Sequence, residues 1–135
     1  MTFNKNNDLG LLILRLTIGV LMLFHGIAKI IHGIGGIKGL LLSKGLPQVL
    51  GYGVYIGEII IPILLIIGYR TRIASILYAI NMLFALFLVH SADIFSVNKT
   101  GGWAVELIGL YLLGAVALYF TGAGKYALST SHKLD

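Results

Sequence analysis

Within the apolar run LRLTIGVLMLFHGIAKI (residues 14–30) stand Arg15, His25 and Lys29, and two further apolar runs hold Glu58 and Glu106. An ionisable side chain at bilayer depth costs about 2.5–3.5 kcal/mol on insertion scales, so such residues pair with one another or mark a functional path. At about 100° per residue, Arg15, His25 and Lys29 fall within an arc of about 80° on one helix, beside Gly19 and Gly26. A polar stripe flanked by small residues faces a neighbouring helix rather than lipid. Depth along the axis suggests that Lys29 reaches Glu106 and that Arg15 extends toward Glu58, giving a neutral set of two cations and two carboxylates. The expected polar pocket, in the outer half of the bundle, uses His25, Lys29, Glu58 and Glu106, with Arg15 and Asn81 in support. His25 would donate to or exchange protons with a ligand, Lys29 would stabilise developing negative charge, and the carboxylates would pass protons or hold the cations.

The elements that position these groups follow from composition. The chain has 135 residues, 58% of them hydrophobic and 11% charged, with a mean hydropathy of +0.95. Too few polar groups are present to cover a water-soluble surface. Four runs, near 9–31, 50–67, 71–90 and 103–120, are long enough to approach or cross about 30 Å of hydrocarbon. They lack the period of two that a barrel requires, so helices must satisfy the backbone. The expected fold is an all-α membrane protein, a four-helix transmembrane bundle over residues 1–135 treated as one domain. Gly33, Gly35 and Gly36 break the first helix, and Ile37 to Ser43 forms a short interfacial helix before Gly45 and Pro47. Gly122 and Gly124 stop the last span. The first run exceeds the length of a signal peptide's apolar core and lacks its cleavage pattern.

The net charge of +5 comes from scattered basic residues with no run or stripe, which argues against nucleic-acid binding. Lys5, Arg70, Arg72, Lys125 and Lys133 fall on the side of both termini, and Lys38, Lys44 and Lys99 on the other, so the positive-inside rule puts the termini in the cytoplasm. The absence of cysteine excludes thiolate chemistry, iron–sulfur clusters and covalently attached haem. Bis-histidine haem b is disfavoured because His25 and His90 differ in depth by about 7 Å. No metal-ligand spacing is present, so no metal is expected. His25, Tyr55 and His90 remain candidates for contact with a cofactor. Tyr52, Tyr55 and Trp103 also suit an interfacial aromatic belt, Asn81 suits helix-to-helix hydrogen bonding, and His90 suits a cap on the third span.

Arg15-x3-Gly19, His25-Gly26-x2-Lys29, Gly45-Leu46-Pro47 and Glu58 occur in that order. They are followed by Gly68-Tyr69-Arg70-Thr71-Arg72, His90, Glu106 and the segment Thr121 to Ser129. Together these resemble the DoxX family of small bacterial membrane proteins, over about residues 9–129. One departure is Ala127, where the family's ending often reads Tyr-Ser-Leu-Asp. The resemblance implies a four-helix protein of the bacterial inner membrane, linked to oxidoreductase systems. Some members are described as subunits of thiosulfate:quinone oxidoreductase, and others accompany redox-defence proteins. The leading expectation is therefore a quinone-interacting subunit or accessory of a membrane oxidoreductase, working in the lipid bilayer with another redox subunit. No residue here stores electrons, so the electron donor would be a substrate or partner. A small proton-coupled transporter centred on Glu58 and a non-enzymatic membrane helper are the alternatives.

Overall fold

The computed structural model describes residues 6–135; Lys5 lies outside them. Helix α1 covers Asn7–His32, with Asn6 Oδ1 accepting the Leu9 N–H at 3.1 Å as its N-cap. It ends at Gly33, whose φ of 78° is open to glycine at little cost. The short helix α2 spans Gly35–Ser43, so Gly35 and Gly36 open α2 instead of extending the break. Gly45, again at positive φ, and Pro47 lead into the composite helix α3, Gln48–Ile67. Helix α4 covers Thr71–Leu88 and α5 covers Glu106–Thr121.

These bounds agree closely with the four apolar runs. Helices α1, α3 and α4 are each long and apolar enough to cross a membrane. At 16 residues α5 is shorter, about 24 Å. Only 28%, 33% and 28% of the three long spans is buried within the protein. The remainder carries large apolar side chains such as Phe24, Ile31, Ile56, Phe84 and Phe87 outward, an all-round hydrophobicity that suits lipid rather than water. The chain is an all-α membrane protein built as a bundle.

The core is small and continuous. Ile18 and Met22 of α1 meet Ile61 and Leu65 of α3, Tyr78 and Met82 of α4, and Tyr111, Ala115 and Leu118 of α5. Helices α1 and α3 approach closely at two glycines. A Cβ on Gly19 would lie 2.6 Å from Ile66 Cγ1, and one on Gly26 would lie 2.5 Å from the Glu58 carbonyl oxygen. That carbonyl is also special within α3. Pro62 has no N–H to donate to the residue four places back, which is Glu58. The helix widens here into a π turn over Ile56–Ile60, closed by the Ile61 N–H on the Ile56 carbonyl. Such turns often accompany functional sites. The bundle thus presents Glu58 from a widened turn at its closest approach to α1.

The two described ends of the chain lie together. Asp8 Oδ1 accepts the Lys125 N–H at 2.9 Å, at what is called here the terminal end of the bundle. Helix α2 and the segment between α4 and α5 occupy the distal end. The latter is organised by Asn98, whose Oδ1 accepts from the Thr100 and Gly102 N–H groups, and by the Trp103 Nε1–H on the Ile94 carbonyl at 2.6 Å.

Candidate functional site: a polar chamber behind a Lys–Glu pair

Lys29 Nζ of α1 donates to Glu58 Oε2 of α3 in an ion pair across the glycine contact, with 26% and 10% of the two side chains exposed. The Lys29 backbone carbonyl accepts the Tyr55 hydroxyl at 3.2 Å, which ties the same two helices together one turn further out. Beside the pair lies a chamber of about 300 Å³, at the lower end of the range for small-ligand sites. Its polar wall is made by His25, Lys29, Glu58, Asn81, His90 and Tyr111, and the rest is apolar, including Met22, Met82 and Ile108.

Each polar residue arrives from a different constraint. His25 is exposed at the rim and meets the Tyr111 ring edge-on at 6.3 Å. Tyr111 in turn meets Tyr78 at 6.3 Å, and the Tyr78 hydroxyl donates to the Ile18 carbonyl at 2.9 Å. This aromatic run ties the chamber to the centre of the bundle. Asn81 of α4 fits against Gly57, where a Cβ would stand 2.2 Å from the amide oxygen. His90 follows the end of α4, and its Nδ1 lies 3.2 Å from Asp93 Oδ2.

The expected pairings change partners. Lys29 is joined to Glu58, not Glu106, and Arg15 is joined to no carboxylate among the described residues. The guanidinium is fully buried and donates to the Leu65 carbonyl at 3.1 Å, the Ile66 carbonyl at 3.3 Å and the Tyr126 carbonyl. Both corrections have one cause. Side chains on a helix lean toward its N-terminus, so Lys29 leans inward toward Glu58 and Arg15 leans away from it, toward the terminal end. There it meets the last carbonyls of α3, where the helix dipole is negative. Glu106 is exposed and curls back over Gly102, where a Cβ would lie 2.6 Å from its Oε2. The last span starts at Glu106 and not at residue 103, which puts this carboxylate at the helix N-terminus instead of one turn inside.

Three further placements differ from expectation. His90, expected as a cap on the third span, lines the chamber together with Asn81. Helical hydrogen bonding runs on past Leu88, with the His90 N–H donating to the Leu86 carbonyl at 3.1 Å. Tyr55 stands behind Lys29 and not among the chamber-lining residues. Tyr111 and Asp93 were not singled out by sequence reasoning. Tyr111 reads as one more apolar position of the last span, and Asp93 reads as a loop residue. The only signal for Tyr111 was a phenol set within the aliphatic stretch Leu107 to Leu118 of that helix.

Residues 10–91 match the family described as DoxX, and the chain belongs to that family. That interval contains α2 to α4, all but the first three residues of α1, the Lys29–Glu58 pair and His90. The chain is 31% identical over 125 residues to the Bacillus subtilis (strain 168) protein named "Putative oxidoreductase CatD", covering 93% of this chain and 88% of that protein. It is 35% identical over 118 residues to an uncharacterized protein of Haemophilus influenzae (strain ATCC 51907 / DSM 11121 / KW20 / Rd), covering 85% of this chain and 84% of that one. No solved structure matches the chain.

Proposed function

We propose that this membrane protein is a quinone-interacting subunit or accessory of a membrane oxidoreductase, placed in the bacterial inner membrane with both termini cytoplasmic. The observation that carries the reading is the Lys29–Glu58 pair on the wall of a chamber of about 300 Å³ that also holds His25, Asn81 and Tyr111. The name of the Bacillus subtilis relative supports an oxidoreductase setting.

The residues suit a neutral head group with two carbonyl or hydroxyl oxygens. A quinone supplies two-electron chemistry coupled to two protons. Lys29 presents ammonium protons beside a carboxylate that keeps the site neutral overall. Its remaining N–H bonds are donors for an oxygen that gains negative charge. Imidazole at His25 can donate from one nitrogen and accept at the other, so it can hold or move a proton at the chamber rim. The Asn81 amide and the Tyr111 phenol offer neutral hydrogen bonds that orient the head. His90, hydrogen-bonded to Asp93 at the distal mouth, gives protons a route between the chamber and water. Electrons must come from a substrate or a partner chain.

Organic extraction of the purified protein, followed by mass spectrometry, tests this directly. The amount of quinone retained by the wild type should fall at least about fivefold in His25→Asn, which keeps hydrogen-bonding capacity through an amide but removes the titratable ring proton. An extract without quinone, together with no binding of added quinone, would overturn the reading. Reporter fusions at Lys38 and Arg70 test the orientation: a cytoplasmic signal at Arg70 and an external one at Lys38 are expected.

A further inference from the structure

A second cavity adjoins the first. It is a groove of about 860 Å³ between α3 and α4, beneath α2. Leu41, Leu46 and Leu50 contribute from the α2 side, and Ile80, Leu83 and Phe87 from α4. The polar chamber and this groove share Ile37, Val54, Asn81, Phe84 and Leu88, so they meet along a common wall. Asn81 is the one polar side chain that lines the groove, and it stands at this junction, seated on Gly57.

We infer that the groove holds the isoprenoid chain of a quinone whose head occupies the chamber, with Asn81 marking the boundary between head and tail. The inference rests on the quinone reading of the chamber and adds to it where the rest of the molecule lies and how it arrives. A compartment with polar groups adjoining a larger apolar one matches a ligand with a compact polar head and a longer apolar chain. The groove wall includes α4 residues on the lipid side, with Ile80 43% and Leu83 39% exposed. A lipid-soluble molecule therefore reaches the chamber sideways from the bilayer without crossing water. Charge separates this occupant from a phospholipid. Lys29 is already neutralised by Glu58, so a phosphate head would bring an uncompensated negative charge into a site of low polarity. A neutral head brings none.

The probes are a benzoquinone methylated at all four ring positions, which resists addition of thiols, and the same head with one methyl replaced by a chain of two isoprene units. Both are titrated against the full chain in nanodiscs. Ratios are taken between wild type and the groove-filling variants Ile80→Trp and Leu83→Trp, so that partition into the bilayer cancels. The variants should bind the prenylated probe at least about tenfold more weakly, as loss of buried apolar contact requires, and the bare head within about twofold of wild type. Unchanged prenylated binding in both variants, with the bare head still bound, removes the tail from the groove and leaves the chamber reading standing. Equal weakening of both probes also overturns the inference, because the groove would then act through the chamber. Failure of either probe to bind the wild type removes the chamber reading itself. The sequence contains no cysteine, so Ile80→Cys supplies an independent measurement. Its alkylation by a bilayer-soluble maleimide should be slowed by the prenylated probe and not by the bare head, and equal rates with both would overturn the proposal.

Discussion

Arg15 and Lys29 lie on one face of one helix, fourteen residues apart, and they solve the problem of a buried cation in opposite ways. Arg15 is fully buried and surrounded by backbone carbonyls from the end of α3 and from Tyr126. Its planar fork reaches three acceptors on two segments at once, and Gly68 leaves the space, since a Cβ there would lie 2.2 Å from Arg15 Nη1. Lys29 instead meets a single carboxylate beside an open cavity, on a flexible stem with donors to spare. The first arrangement, whose buried Nε has no hydrogen-bond partner among the described residues, lines neither cavity. The second lines the chamber. Similar charge in one helix therefore serves as a rivet at the terminal end and lines a cavity at the distal end.

Removing the rivet should have the largest effect on stability. Arg15→Met keeps much of the volume but leaves the Leu65, Ile66 and Tyr126 carbonyls without their donor. Leaving these buried carbonyls unsatisfied is expected to destabilise the bundle by about 3 kcal/mol, read as a lower unfolding temperature in detergent and faster proteolysis after Gly122. Stability equal to wild type would break the comparison, because the cation would then not be holding the two segments.

Glu58→Gln comes next and should separate stability from function. Lys29 is partly exposed, so solvent screens the pair, and the expected loss is about 1 kcal/mol. Quinone retention should fall at least about tenfold, a change of about 1.4 kcal/mol. The exchange Lys29→Glu with Glu58→Lys should recover the stability and not the binding, since the donors would then project from the wrong helix. Recovery of both would make the pair a strut, no different in kind from Arg15.

The smallest effect belongs to the terminal end. Burial pushes the Asp135 carboxyl up, but the Ser129 and His132 hydrogen bonds and the Arg70 and His132 charges outweigh it and hold the group below its ordinary value of 3.8. A depressed carboxylate stabilises the fold fully above its ordinary value and loses that contribution as pH falls through the lower, folded one. Hydrogen exchange in residues 126–135 should therefore rise as pH drops below about 4 once the intrinsic pH dependence of exchange is divided out. Asp135→Asn should abolish the transition. A transition of equal size in that variant would assign it to another group.

Much of the fold was legible because hydrophobic length and glycine position are local signals. Gly33 and Gly122 stop helices at positive φ as the sequence suggests, and the boundaries of α1 and α3 fall within a few residues of the apolar runs. The shared face of Arg15 and Lys29 was legible from a constant rotation per residue. Their partners were not, because depth along an axis omits the lean of each side chain toward its own N-terminus. Glu106 was misplaced by starting the last helix three residues early. A polar pocket was expected, but the apolar groove beside it was beyond reach for a different reason. It depends on how α2, α3 and α4 tilt against one another, which hydropathy does not encode.

The π turn at Ile56–Ile60 gives the composite helix a fixed phase. A single deleted residue between Glu58 and Leu65 would rotate one part against the other by about 100° and shorten the span by about 1.5 Å. Glu58 would no longer face Lys29 while the terminal carbonyls still faced Arg15, or the reverse. The span is therefore expected to accept substitutions along its lipid face far more readily than any change in its length.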